Sequence, residues 1–183
     1  MSEIWITSDT HFGHDKNFIW GARGFENIEQ HNQEIIKRWN EVVKKDDIVY
    51  HLGDVMLGDL ESGMECLKQL NGQIKIVLGN HDTKNRVKAY KELDNVEILG
   101  YATMLKYKKY HFYLSHYPTL TDNMDEDKPL KARVLNLYAH THQKTKFLDG
   151  HLNYHVGIDT HGCPIKLDNI IEEIKERKNE INS

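Results

Sequence analysis

The sequence predicts a mixed α/β sandwich, and three of its features do so. Apolar strand-like runs alternate with helix-period segments through the first half. The second half switches to strand after strand with few helical patterns between them. Five polar fragments rich in Asp, Asn and His each follow directly on an apolar run.

Ile4 to Ser8 reads as a short buried strand running into a loop at Asp9. From Asn27 to Lys45, the residues Ile28, Ile35, Ile36, Trp39, Val42 and Val43 recur at roughly helical spacing with polar residues between them. Asp47 to Leu52 is the next strand, broken by Gly53. Leu60 to Leu70 reads as a helix, and Asn71-Gly72 suits a left-handed cap at its end. Ile74 to Leu78 is a continuous apolar strand turned by Gly79. A further helix is expected over Thr83 to Leu93, with Thr83 as its N-cap. This alternation predicts parallel strands joined by crossover helices, with functional groups at their carboxyl ends.

Val96 to Leu99, Tyr101 to Tyr107, His111 to Ser115, Val134 to Ala139 and Leu152 to Val156 all read as strands. That run argues against a simple doubly wound sheet. Asp168 to Arg177 reads as a terminal helix, and the last residues are expected to fray. The acidic stretch Thr121 to Lys128 is expected to form a loop at a rim.

A chain of 183 residues can bury one sizeable core, so a single domain over 1–183 is expected. Charged residues at 28% and apolar residues at 39% suit a globular chain better than a disordered one. No apolar run reaches the length of a bilayer span, and Met1 to Thr7 lacks the basic and apolar regions of a signal peptide. Cys66 and Cys163 are too few for a disulfide framework, so a reduced, cytoplasmic protein with inert thiols is expected. A formal net charge of -4 implies no broad basic face for long duplex nucleic acid. Lys84 to Lys91 and Lys106 to Lys109 read first as solvated faces, and second as a strip for a short or single-stranded substrate.

The five polar fragments carry the chemistry. They are Asp9-Thr10-His11, Gly53-Asp54, Gly79-Asn80-His81-Asp82, Ser115-His116 and His140-Thr141-His142. Taken singly, each reads as turn and capping chemistry. Together their imidazole, carboxylate and amide donors match one site for two divalent ions, of which Mn is the first choice beside Fe, Zn or Ni. Asp54 is the natural bridge, because a carboxylate offers lone pairs on both oxygens. Asp9 and His11 converge on one ion with His142, while Asn80, His116 and His140 complete the other. Such a pair lowers the pKa of a bound water and clamps attacking and leaving oxygens, which suits a phosphate ester. His81 is left to orient the phosphate or protonate the leaving oxygen, and Asp82 to accept a proton from its other ring nitrogen.

These fragments, in this order, resemble the calcineurin-like metallophosphoesterase superfamily over residues 4 to about 158. The opening Asp9-Thr10-His11-Phe12-Gly13-His14 is similar to a small bacterial or phage-type branch. The resemblance implies a four-layered α/β/β/α sandwich with two mixed sheets. It implies one ion held by Asp9, His11, Asp54 and His142, the other by Asp54, Asn80, His116 and His140, and His81 as the catalytic histidine. It departs from the family's pattern at Asp54-Val55-Met56, and at Ala139, which replaces a common glycine before His140. Alanine is small enough for a tight turn at negative φ, so ligation is expected to survive.

His14, Asn17 and Arg23 follow the first fragment in a polar loop and are candidates for the substrate mouth, with Arg23 holding a phosphate oxygen. His51 reads as a core group supporting the ligands. His155 and His161 read as structural or surface groups, and His31, His111 and His151 carry no expected role.

The expected activity is hydrolysis of a phosphate ester by a metal-bridging hydroxide. A small chain leaves little material for a cap, so an open cleft and a phosphodiester are favoured, with cyclic or short nucleotides as candidates. A phosphomonoesterase and a catalytically silent metal-binding scaffold are the alternatives. An endonuclease would need a nucleic-acid track that the net charge does not suggest.

Overall fold

The computed structural model describes residues 2–119, 134–148 and 150–183. The expected rim loop at Thr121 to Lys128 lies outside them. In chain order the elements are β1 (Ile4–Thr7), α1 (Asn17–Trp20), α2 (Ile28–Val42), β2 (Ile48–His51), α3 (Leu60–Leu67), β3 (Gln73–Val77), α4 (Lys84–Tyr90) and β4 (Val96–Gly100). They continue as β5 (Ala102–Tyr107), β6 (Tyr110–Ser115), β7 (Val134–Tyr138), β8 (Asn153–His155), α5 (Ile158–His161), β9 (Ile165–Lys166) and α6 (Leu167–Asn182).

Two mixed sheets result. The first has the order β4-β3-β2-β1-β9. Its first four strands are parallel, as the strand–helix alternation predicts, and β9 adds an antiparallel edge. The second has the order β5-β6-β7-β8. There β5 and β6 form an antiparallel hairpin, while β6, β7 and β8 are parallel. The mixed α/β class is therefore the one expected from sequence.

Two apolar clusters hold the layers. α2, α3 and α4 cover one face of the first sheet, where Ile35, Trp39, Leu67 and Tyr90 meet Val49, Ile74 and Ile76. On the opposite face Ile6, Leu52 and Val77 meet Phe112, Leu114 and Leu137 of the second sheet, and Ile170, Ile171 and Ile174 of α6 join them. Burying each such side chain contributes roughly 1.5–3 kcal/mol.

The helix ends follow local chemistry. The Asn27 side chain accepts from Gln30 N at the start of α2, and Asp59 accepts from Ser62 N at the start of α3. Gly72 adopts the left-handed turn expected after α3, at φ 103°. Thr83 occupies the N-cap of α4 but makes no side-chain capping bond. The one-turn helices α1 and α5 and the two-residue β9 are too short to leave a periodic signal. α6 runs on to Asn182 where fraying was expected from about Arg177. Cys66 and Cys163 are free thiols, and burial pushes Cys66 up to about 11.

Asp47 pins the start of β2. Its carboxylate accepts from Glu3 N at 2.8 Å, Trp5 Nε1 at 3.0 Å and Lys44 N at 3.0 Å. Burial alone would raise its pKa, but these donors hold it below the ordinary carboxylate range. Asp47→Ala is expected to cost about 1–3 kcal/mol through the orphaned donors, read as a lower urea midpoint at unchanged slope. Because the folded pKa is depressed, the stabilisation is complete above the ordinary Asp range. It fades as pH falls through the folded value, so the gap between variant and wild type should close in acid.

Candidate metal centre

The parallel strands of both sheets deliver their carboxyl ends to one place. β1 leads to Asp9, β2 to Asp54, β3 to Asn80, β6 to His116 and β7 to His140. The loops are stitched together by backbone bonds, Asp9 N to Gly53 O at 3.0 Å, His11 N to Asp54 O at 3.1 Å and Ala139 N to His116 O at 2.9 Å. Two glycines permit that approach. A Cβ on Gly53 would meet Gly79 Cα at 2.7 Å, and one on Gly79 would meet Asp54 N at 2.7 Å.

Backbone strain concentrates here. Asp9, His11, Asp54, His140 and His142 have φ of 57°, 49°, 55°, 65° and 48°, and among the described residues only Lys108 shares that region without being glycine. Each such residue costs on the order of 1–3 kcal/mol, held by the surrounding structure. Ala139 keeps a negative φ as expected, and the left-handed turn falls on His140 instead.

The donors gather in two groups. Asp9, His11 and His142 form one and Asp54, His116 and His140 the other, with donor atoms in each within 4.8 Å of one another. His11 Nε2 lies 3.7 Å from both Asp9 Oδ1 and Asp54 Oδ2, so Asp54 faces both groups. Asn80 Oδ1 lies 3.0 Å from His116 Nε2, which is 3.4 Å from Asp54 Oδ2.

This donor set fits divalent ions. His116 Nδ1 donates to Leu52 O at 2.7 Å, and His142 Nδ1 donates to Asp159 Oδ2 at 2.8 Å. In the neutral rings each Nε2 is then left with a lone pair aimed at the cluster. Asp9 Oδ1 and both ring nitrogens of His11 are buried with no hydrogen-bond partner. Orphaned acceptors so deep are costly unless a cation satisfies them.

Electrostatics match. Burial would raise the Asp54 pKa, but His116, the His81 backbone N–H and His11 hold it well below the carboxylate range. Burial would lower His116, yet the Asp54 and Asp9 charges raise it, and the Asp159 hydrogen bond raises His142. His81 is more open, with 37% of its side chain exposed and Nε2 3.9 Å from Asp54 Oδ2. Its backbone N donates to Asp54 Oδ1 at 2.8 Å, which sets the ring beside the cluster. His14 stands at the mouth, its ring 5.4 Å from His11 and 6.5 Å from His81.

A family profile, the calcineurin-like phosphoesterase superfamily domain, matches residues 2–156. The chain belongs to the calcineurin-like phosphoesterase superfamily. It is 32% identical over 188 residues to the uncharacterised protein MJ1445 of Methanocaldococcus jannaschii, covering 97% of this chain and 94% of that one. It is 29% identical over 196 residues to the gene 66 protein of Mycobacterium phage L5, covering 94% of each. Among solved structures, the protein of unknown function AQ665 from Aquifex aeolicus superposes with a TM-score of 0.65 at 24% identity, over 94% of this chain and 99% of that one. YfcE, a phosphoesterase from E. coli, superposes with a TM-score of 0.50 at 16% identity, over 85% and 78%. Those two likenesses speak for the phosphoesterase fold.

Two sequence expectations need correction inside this superfamily fold. Asp82 does not hydrogen-bond to the His81 ring. Its carboxylate accepts from Gly79 N and Asp54 N at 2.8 Å, Val55 N at 3.3 Å and Tyr90 Oη at 2.9 Å. It braces two ligand loops and has no acceptor capacity left for a proton relay. Arg23 turns inward with a side chain only 4% exposed and does not line the mouth. It donates to Asp159 Oδ1 and Oδ2 at 3.0 and 2.9 Å and to the Asp9 carbonyl at 2.8 Å. Asn17, the third residue proposed for the mouth, is exposed at the start of α1, and its carbonyl accepts from Gly21 N.

Sequence reasoning missed Asp159 and His31. Asp159 orients His142 and is fixed by Arg23, while His31, fully buried, lies 2.9 Å from Arg23 Nη1. Neither follows a strand in a recognisable fragment, so only their partners reveal them. His51 is the supporting core group expected, 3.0 Å from Thr10 Oγ1, with burial pushing its imidazole down to about 3. His161 lies against the His155 carbonyl at 2.9 Å and away from the donors.

Asp159→Asn is expected to weaken metal binding at the Asp9, His11 and His142 group by about 10–100-fold, the usual effect of losing a carboxylate behind a ligating histidine. Metal titration by calorimetry should show one site weakened and the other retained. Equal weakening of both would overturn this assignment.

Proposed function

We propose that the chain is a dinuclear metal-dependent phosphoesterase that hydrolyses a phosphodiester. The observation carrying this reading is the shared position of Asp54 between two donor groups, with a half-open His81 beside them. Asp9, His11, Asp54 and His142 would hold one ion, and Asp54, Asn80, His116 and His140 the other. Two divalent ions, Mn the first choice among Mn, Fe, Zn and Ni, would supply Lewis acidity and activate water at neutral pH.

The chain's own groups do the rest. Water adds its oxygen to phosphorus and releases a proton to solvent, the bond to the leaving oxygen breaks, and a protonated His81 delivers a proton to that oxygen and is then reprotonated from solvent. The Asp82 brace and the Arg23–Asp159 pair keep the ligand loops in place throughout. His14 borders the approaching ester.

The inward arginines support a diester over a monoester. Arg23 is consumed by Asp159 and the Asp9 carbonyl, and Arg86 by the carbonyls of His81 and Gly58. Arg23, its charge neutralised by Asp159, is not left for the second charge of a monoester dianion, so the monoesterase is the second reading. A cytoplasmic setting belongs to the same proposal and rests on the two unpaired thiols. Among the described residues, no helix is long and apolar enough to cross a membrane.

The test is a panel of mono- and diesters, cyclic nucleotides included, run with Mn, Ni, Zn, Fe and Mg. Metal-dependent turnover with diesters ahead of monoesters is the expected result. Two bound metals with no turnover on any ester would favour a silent scaffold and sink the proposal.

A further inference from the structure

Beside the candidate centre lies a basic groove that the proposed chemistry does not use. Its volume is about 300 Å³, with Leu78, Val87 and the buried Asp82 in its wall and Lys84, Lys88, Lys91 and Tyr101 around it. The three lysines follow the i, i+4, i+7 pattern of one helix face, so successive ammonium stems stand about 6 and 4.5 Å apart along α4. All three are exposed, and no ammonium of the three has a hydrogen bond or ion pair among the described residues. Arg86, on the same helix, is spent on the His81 and Gly58 carbonyls, so the lysines are the cations left for a ligand.

The groove adjoins the centre through Asp82, which lines it and accepts from Asp54 N and Gly79 N. Lys84 follows His81 by three residues. β5 begins at Ala102 opposite Ser115, which places Tyr101 just beyond the pairing on the same edge as His116. Tyr101 is 75% exposed. Tyr117, 47% exposed, packs its ring 5.2 Å from His116 and 4.7 Å from His140. Leu78 N donates to Gly100 O at 2.8 Å, tying the strand before Asn80 to the turn that carries Tyr101. Among the described residues, two exposed tyrosines and a row of lysines without side-chain partners therefore stand on segments that adjoin the metal ligands.

The geometry points to a single-stranded polynucleotide as the substrate, its cleaved diester at the centre, unpaired bases on Tyr117 and Tyr101, and flanking phosphates on Lys84, Lys88 and Lys91. Spaced cations beside aromatic platforms are the means by which proteins hold single strands without reading sequence. A duplex fits poorly, because its bases offer no free face to the tyrosines and the chain's net charge of -4 offers it no wide basic surface. This inference rests on the phosphodiesterase reading and deepens it.

The test separates the two. Binding of a short fluorescein-labelled oligothymidylate to metal-free protein is followed by fluorescence anisotropy across a range of salt. The expected slope of log affinity against log salt is about -2, from roughly -0.7 for each of three phosphate contacts on a single strand. Lys84→Gln/Lys88→Gln/Lys91→Gln should flatten that slope, and Tyr101→Ala should weaken binding by about tenfold. Neutralising Lys37, Lys45 and Lys178 instead is the control for net charge and should leave the slope in place. Failure to bind, tighter binding of the matching duplex, or equal loss in the control would overturn the inference. If the oligonucleotide binds with the expected slope while no ester is hydrolysed, the catalytic proposal falls and the strip stands. If an aryl diester is hydrolysed but no oligonucleotide binds, the strip falls alone.

Discussion

Asp54→Ala is expected to abolish turnover and to strip both metals. Asp54 has a carboxylate that faces the imidazoles of both donor groups, with Oδ2 3.7 Å from His11 Nε2 and 3.4 Å from His116 Nε2. Removing it takes a charged ligand from each ion at once, and it also frees the His81 backbone N–H that Oδ1 accepts. Loss of a terminal ligand such as His142 should instead weaken one ion preferentially. Elemental analysis after dialysis, with circular dichroism to confirm the fold, checks the prediction. Full metal content in the variant would exclude the bridging role. The same variant is the blank for every ester assay, because a contaminating phosphatase would survive it.

His81→Ala is expected to keep both metals and lose turnover unevenly. The ring is partly exposed and reaches only to 3.9 Å from Asp54 Oδ2, so it is placed to meet a substrate while the ions would be held within the donor groups. A positioned general acid contributes about 10²–10⁴-fold. That contribution matters most when the leaving oxygen is basic. Alkyl diesters should therefore lose nearly the full factor, and p-nitrophenyl diesters, whose leaving group departs readily as the anion, much less. A uniform loss across leaving groups would mean that His81 orients the phosphate and does not protonate the leaving oxygen. Asp82→Asn gives a complementary result. Because its carboxylate braces four donors, its loss should lower stability and metal affinity together, with no dependence on the leaving group.

The corrected residues share a cause. Arg23 looks from its neighbours like a loop cation free to meet a phosphate, yet its carboxylate partner is 136 positions away in the chain. Asp82 sits next to His81 in sequence, but the backbone of the Gly79–Asp82 turn sends its side chain towards Gly79 and Asp54 N–H groups. Lys84, Lys88 and Lys91 read first as an ordinary solvated face until Tyr101, from the turn between β4 and β5, is seen across the groove.

The amino-acid order by itself determined where strands end and which donors stand at those ends. That information is local: an apolar run of strand length buries itself, and a following Gly, Asp, Asn or His turns the chain. It was enough to name the fold class and the superfamily, and to pick out residues that gather in the two donor groups. Only the tertiary structure decided which groups those side chains meet. Asp159 behind His142, the inward Arg23, the loop-bracing Asp82 and the lysine row beside Tyr101 all depend on how the two sheets converge. Hydrogen bonds and ion pairs act over a few ångströms of space, and distance along the chain carries no record of them.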